Sequence, residues 1–298
     1  MTTVTVDAEV APPAGGLPLG PESLTWQLFG DLRLPLIGPR AAVLQNMLPA
    51  LGQGVEEHSV WFADTAARLA RSIPPIMGTL YGDDGTGAAT GHRVRDFHTA
   101  IKGRLPDGTP YSALNPYTYY WAHACFVESM VVATETFIRP LSRDEKDQII
   151  GEHVTWYHRY GVSEPRDLPR CAGRIPRTWA EFEAYFDAML DEQLVRHRTA
   201  AYGMGYTTKG WPRPRRVRPW VWAVVRGPIN AMSSSLSIGG MPPRGREILG
   251  LPWDADRERR YRRVAAVARR MQPAVRRLPA RLRMHPIAAR AFAREAAR

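Results

Sequence analysis

Residues 116–138, PYTYYWAHACFVESMVVATETFI, contain only two charged side chains, Glu128 and Glu135. A helix that is apolar on every side must be covered on every side, so this segment predicts a central helix with other helices packed around it. Pro116 suits the first turn, where its missing N–H is no loss. A chain of 298 residues is long enough to bury such an element in a full core. No segment shows strand-like alternation, and no period of 20–50 residues repeats. The pattern therefore reads as all-α.

The flanking segments fit that reading. Ala41–Leu51 is short and apolar. Residues 55–80 place Val60, Ala63, Ala67, Leu69, Ala70 and Ile73 near a 3.6-residue repeat, with Pro74–Pro75 expected to kink or interrupt the helix. Gly82–Gly91 (GDDGTGAATG) reads as a loop by composition, with a helix His92–Lys102 after it and Gly103 as its stop. Leu105–Asn115 reads as a loop with a turn at Pro106–Asp107–Gly108. Ser142-x-x-Glu145 is a capping-box pattern opening a helix Arg143–Tyr160. Thr178-x-x-Glu181 repeats the pattern before a helix Glu181–Arg198. Beyond it come a Pro-punctuated basic loop at 209–219, an apolar segment at 220–238, an Arg-rich helix from 255 to 272 and a short helix from His285 to the end. Residues 1–24, rich in Pro, Gly and Thr, read as a loose N-terminal arm. Residues 25–298 read as a single α-helical domain.

The formal charge of +11 is unevenly placed. Residues 1–208 hold 18 basic and 24 acidic side chains, 209–226 hold six basic and no acidic ones, and 244–298 hold 16 Arg and five acids. A mildly acidic body thus carries a basic C-terminal third, 209–298. That asymmetry points to an anionic partner or to a solvated helical face. An anionic membrane, met peripherally by the Arg-rich helix with the apolar segment 220–238 beside it, ranks ahead of nucleic acid. The body is acidic and no base-reading motif is visible, so a basic nucleic-acid-binding module is the weaker alternative. Two cysteines, Cys125 and Cys171, exclude a disulfide framework and a four-thiolate metal site. No apolar run reaches 18 residues, and the first residues show neither a basic n-region nor an h-region. The expectation is an intracellular, cytoplasmic protein.

Eight histidines limit the chemistry. None has a carboxylate three residues before it, so a Glu-x-x-His di-iron bundle is excluded. H-E-x-x-H, G-x-S-x-G, Walker A and G-x-G-x-x-G patterns are all missing. His123 stands out because it lies inside the apolar helix, where an imidazole must find a partner. It can be a core histidine bonded to a carbonyl, or an axial ligand to a flat apolar cofactor such as haem. His98 lies in RVRDFHTAIKG, where Arg95 and Thr99 would share a helical face with His98 beside them. Such a face can line a polar pocket or be solvated. His153 and His158, five residues apart, do not share a face well and read as packing or surface residues.

The run RVRDFHTAIKGRLPDGTPYSALNPYTYYWAHACFVES resembles the mpaB/rubber-oxygenase catalytic-domain family. The family pattern is an Arg-x-x-(His or Lys)-Thr helix, a DG-x-x-Y-x-A-x-(D or N)-P turn and an aromatic helix with W-x-H. Here these are Arg95, His98 and Thr99; Asp107, Gly108, Tyr111, Ala113, Asn115 and Pro116; and Trp121 with His123. The likeness extends over about residues 25–290, through Asp64–Arg68, Tyr81–Asp83, 139–152 and 176–190. It implies an all-α, globin-like bundle enclosing non-covalent haem b (iron protoporphyrin IX). On this resemblance His123 matches the proximal iron ligand, and His98 the distal-side residue that is Lys in latex clearing protein. Arg95 and Thr99 match a polar pair in the haem pocket. A distal His binds iron more readily than Lys, so the resemblance also allows a bis-His resting state.

The implied activity is a haem-dependent oxygenase, an oxidoreductase joining dioxygen to an apolar, isoprenoid- or lipid-like substrate. Arg95, His98 and Thr99 would serve the oxygen side. The alternative is a bis-His haem protein for electron transfer, sensing or storage, without turnover. The chain departs from the rubber oxygenases in one respect. They use a Glu upstream of the Arg unit as acid/base, whereas residues 79–95 offer only Asp83 and Asp84, which read as turn residues.

Overall fold

The computed structural model describes residues 13–37, 39–209, 213 and 217–298. The chain is mainly helical: α1 (Leu24–Phe29), α2 (Arg40–Met47), α3 (Pro49–His58), α4 (Thr65–Tyr81), α5 (Asp84–Phe97), α6 (Pro116–Phe137), α7 (Arg143–His158), α8 (Trp179–Glu192) and α9 (Arg198–Lys209). Then follow α10 (Pro219–Gly239), α11 (Pro243–Leu249), α12 (Ala255–Arg270), α13 (Gln272–Arg277), α14 (Ala280–Arg283) and α15 (Pro286–Ala296). Two short strands, β1 (Lys102–Arg104) and β2 (Pro110–Ser112), pair antiparallel between α5 and α6, with Gly103 opposite Tyr111.

Helix α6 is the axis. Asn115 caps it by accepting from the Tyr117 N–H at 2.9 Å, and Pro116 occupies the first turn. It packs on α2, α7 and α12. The Trp121 indole N–H donates to the Leu44 carbonyl at 3.1 Å, and Gln45 donates to the Ala122 carbonyl at 2.7 Å. Both charges on α6 have partners. Arg40, itself buried, forks onto both oxygens of Glu128 and also donates to Ser129 Oγ at 2.9 Å and to the Gly240 carbonyl at 2.5 Å. Glu135 pairs with Lys146 at 2.8 Å. An apolar helix can hold Glu128 because a buried charge is tolerable when it is paired and hydrogen-bonded, while Glu135 keeps part of its side chain in water.

The glycine-rich segment, expected to be a loop, is the first half of α5. Asp83 caps the helix through the Thr86 N–H at 2.9 Å, and Asp84 lies in its first turn. A Cβ on Gly87 would sit 2.8 Å from the Arg159 guanidinium, and one on Gly91 would sit 2.1 Å from the Arg159 carbonyl oxygen. The two glycines, one turn apart, thus form a smooth stripe that admits the end of α7. Close packing overrides their low helix propensity. Arg159 fixes the joint by donating to the carbonyls of Thr79, Leu80 and Gly82 at 2.9–3.1 Å and to Asp84 at 2.7 Å.

Other boundaries also move. The helix expected over 55–80 is two helices, α3 and α4, broken at Ser59–Asp64, where buried Trp61 donates to the Thr199 carbonyl at 2.9 Å. Pro74 and Pro75 lie inside α4 without ending it. The carbonyls they leave without an N–H belong to Ala70 and Arg71, exposed residues that water can serve. The helix expected to reach Lys102 ends at Phe97 in a 3-10 turn, His98–Ala100. Gly103 is not a helix stop but a strand residue lying on the Tyr111 ring. The turn at Pro106–Asp107–Gly108 is present. Asp107 accepts from the Thr109 N–H at 2.8 Å, and Gly108 takes φ +88°. Strands of three residues are too short for alternation to show in a sequence.

The Ser142–Glu145 capping box is reciprocal, as the sequence predicts. At Thr178 only half forms. The Thr178 hydroxyl accepts from the Glu181 N–H at 3.3 Å, while the Glu181 carboxylate turns to Arg174 and the Arg177 N–H. Helix α8 runs Trp179–Glu192, and Gln193 caps it with its N–H on the Met189 carbonyl, short of the Arg198 end expected. The apolar segment 220–238 is helix α10, and α12 and α15 lie where the sequence places them. Most of the basic loop expected at 209–219 lies outside the described residues, as do 1–12 of the N-terminal arm. Further along that arm, the Leu17 N–H donates to the Gly151 carbonyl at 2.9 Å. Among the described residues, no helix is long and apolar enough to cross a membrane.

Candidate functional site

His123 lies on α6 one turn beyond Tyr119 and is 2 % exposed. Neither Nδ1 nor Nε2 has a hydrogen-bond partner. Rings from α7 and the turn after it close round it. His153 stacks at 5.2 Å and 19°, Trp156 stands edge-on at 4.8 Å, and Tyr157 and Tyr160 lie at 5.5 and 5.9 Å. The Trp156 indole N–H has the Tyr160 side chain beside it but makes no hydrogen bond of good geometry. An unpaired buried polar group costs about 1–3 kcal/mol, so an imidazole with neither nitrogen bonded requires an explanation.

His153 provides the internal control. It is equally buried, but its Nδ1 meets the Ile150 carbonyl at 2.9 Å and its Nε2 meets the Tyr120 hydroxyl at 3.0 Å. These partners assign Nδ1–H as donor and Nε2 as acceptor. The role of a core histidine bonded to a carbonyl thus belongs to His153, and His123 has no such bond. Burial pushes the His153 pKa down to about 4. The His123 pKa lies well below the ordinary range, first through burial and then through repulsion from a charged His153; the His153 carbonyl opposes this weakly without forming a hydrogen bond. Both rings are neutral near pH 7, and a neutral imidazole is the form that ligates a metal.

The polar unit expected beside the site is arranged differently. His98 is half-buried at the end of α5, with Nδ1 on the Val94 carbonyl at 2.6 Å, which leaves Nε2 as the lone-pair nitrogen. Burial lowers its pKa as well. Arg95 is tied to Asp96 at 2.8 Å and to the Gly161 carbonyl at 3.4 Å. Thr99 is exposed. The helical face meant to join Arg95 to Thr99 does not form, because α5 tightens into the 3-10 turn at His98. Asp83 caps α5 and Asp84 binds Arg159, so neither carboxylate is a free acid/base at this place.

No hydrogen bond or ring contact among the described residues joins His98 directly to His123. Phenol rings connect them. His98 lies 6.0 Å from Tyr119, which lies 5.4 Å from Tyr160 and 6.4 Å from Tyr157, and both of these touch His123. Burial raises the pKa of all three phenols far above the usual value, so they remain protonated. Two open clefts, of about 590 and 530 Å³, lie near the start of α6, lined by Asn115 and Tyr117 with Asp167 and neighbouring residues, and not by His98 or His123.

Sequence reasoning missed the α7 side of the site. Its signal was present, since rings recur at 153, 156, 157 and 160, the spacing of one helical face. Reading the histidines as a pair, His153 with His158, concealed it. His158 instead meets Glu164 at 2.7 Å.

The donor set bears on which group could bind. Among the described residues, no cluster of three or more His, Cys, Asp or Glu side chains could cage a bare ion. A haem brings four ring nitrogens of its own and needs only one or two protein ligands, which an unpartnered buried imidazole in an apolar wall can provide. The residues present fit such a group at His123. A family model described as "ER-bound oxygenase mpaB/B'/Rubber oxygenase, catalytic domain" matches residues 26–270, a span that includes Arg95, His98, Thr99 and His123. No curated protein and no solved structure matches the chain.

Proposed function

We propose, from the premise that the chain belongs to the mpaB/rubber-oxygenase catalytic-domain family, that it is a haem b-dependent oxygenase acting on an apolar substrate. Family membership supports oxygenase activity. The observation carrying the haem reading is His123, buried with both ring nitrogens unpaired. Haem bound there would supply an iron centre at which dioxygen can be activated. His123 would hold the iron through its neutral imidazole. Tyr119, Tyr157 and Tyr160 would exclude water, and their rings suit an isoprenoid- or lipid-like molecule. Arg95 would offer its guanidinium to negative charge building on oxygen once it leaves Asp96, and Thr99 a hydroxyl once the 3-10 turn re-orders.

A second reading is favoured by one observation. Nδ1 of His98 is fixed on Val94, so its Nε2 lone pair is available as a second iron ligand. With two imidazoles on iron, the protein would carry electrons, sense or store haem without turnover. Spectra separate these readings. The purified chain, or the chain given haem, should show a Soret band, and His123→Ala should lose the haem or change its ligand field. Carbon monoxide should displace His98 from the reduced protein if the oxygenase reading holds; failure to do so favours the bis-His reading. A chain that takes up no haem sinks both.

A further inference from the structure

Helix α12 changes character halfway along. In its first half three of the four arginines are neutralised locally. Arg257 pairs with Asp254, Arg259 with Asp256 and Arg262 with Glu258. From residue 259 to 294 the sequence contains twelve arginines and no acid. Arg263, Arg270, Arg276, Arg277 and Arg281 are all exposed, and none forms an ion pair among the described residues. Between them lie apolar side chains that a solvated face does not explain. Val267 and Met271, one turn apart, and Leu278 and Leu282, one turn apart, are exposed, Met271 by 56 % and Leu282 by 57 %.

This stretch is held at both ends. Arg269 donates to the Glu135 and Thr136 carbonyls at 3.0 and 3.3 Å, fastening α12 to the last turn of α6. After α14 the backbone pairs with the segment following α1, through Leu32 N–H to the Arg283 carbonyl at 3.0 Å and His285 N–H to the Gly30 carbonyl at 2.7 Å. Residues 270–282 therefore form a fixed platform. It lies at the end of α6 remote from Tyr119, about 20 Å along the axis from His123.

We propose that the α12–α14 platform docks the protein on an anionic lipid bilayer, with Met271, Leu278 and Leu282 entering the headgroup boundary and the unpaired arginines on lipid phosphates. A bilayer boundary takes bulky apolar side chains below the headgroups and Lys or Arg on the phosphates, and residues 267–282 expose both kinds. Apolar insertion distinguishes a bilayer from a nucleic acid, which would use the arginines and leave Met271 and Leu282 in water. The platform is separate from the His123 site, so a chain that failed to bind haem would still dock.

The test is co-sedimentation of the full chain with vesicles of phosphatidylcholine alone and of phosphatidylcholine with phosphatidylserine. Binding is expected only where phosphatidylserine is present, and it should weaken as salt rises. Replacing Arg270, Arg276, Arg277 and Arg281 together by Gln should lower partitioning by at least about a hundredfold, each exposed arginine contributing about fivefold. Leu282→Asp should lower it separately. All five side chains are exposed, so the melting temperature should not move; salt dependence reads the same surface without substitution. Equal binding to both vesicle types overturns the proposal. So does unchanged binding of the Gln variant, or capture by duplex DNA with none by vesicles. A Trp220→Ser, Val224→Ser variant tests the other exposed apolar helix, α10, where Trp220 is 67 % exposed. If that variant alone loses the vesicles, the docking surface is not α12–α14.

Discussion

Fifteen of the 22 residues of α6 are buried, whereas α12, α13 and α14 together bury only Ala265. The two regions invert the meaning of a side chain. In α6 an apolar residue is expected and an unpaired imidazole is costly, so His123 is informative. On α12–α14 an unpaired arginine costs nothing, and the exposed Met271 and Leu282 are informative. A residue points to function where its own surroundings fail to account for it.

The largest effect expected tests whether the buried region depends on pairing. Arg40→Ala should destabilise by about 3–5 kcal/mol, because it leaves the Glu128 carboxylate against the core without its cation. A loss below about 1 kcal/mol, read from guanidinium unfolding, would mean that water already serves Glu128.

Acid is the next lever. The His153 pKa is about 4 in the folded chain and near 6.5 when free, so the unfolded chain binds the extra proton between those values. Stability of the haem-free protein should hold above pH 6.5 and fall as pH drops toward 4, by of the order of 3 kcal/mol from His153. His123, shifted in the same direction, adds to that loss. His153→Gln should flatten the slope of the unfolding midpoint against pH; an unchanged slope would place the titration elsewhere.

The two stacked histidines should then respond in opposite ways. His123→Leu removes an unsatisfied group and should stabilise the haem-free protein by about 1–3 kcal/mol while abolishing haem uptake. His153→Leu strands the Tyr120 hydroxyl and should cost a similar amount. If both variants destabilise equally, His123 has a partner in solution and the case for a ligand weakens.

The smallest effect belongs to the surface. Arg276→Gln and Leu278→Ser should each move stability by less than about 0.5 kcal/mol. A thermal melt showing a larger loss would mean that α13 contributes to the core.

Much of the core was legible. Helix α6 follows from its unbroken apolar run, α7 from its capping box and α12 from its charge. The glycine stretch was not, because Gly87 and Gly91 are helical only where Arg159 approaches, and that contact spans about seventy residues of chain. The site divided in the same way. His123 could be chosen from its setting in α6, while Arg95, His98 and Thr99 were placed by resemblance. The 3-10 turn that separates Thr99 from Arg95 leads into the hairpin that begins at Lys102.

By itself, then, the sequence determined which helix must be central, because apolar surface on all sides has one outcome in water. It also determined that an imidazole would be buried there, and that the basic charge would collect near the C-terminus. Only the tertiary structure decided which of two buried histidines is satisfied. Hydrogen-bond partners come from neighbouring helices, and the carbonyl and hydroxyl that satisfy His153 stand out of reach of His123.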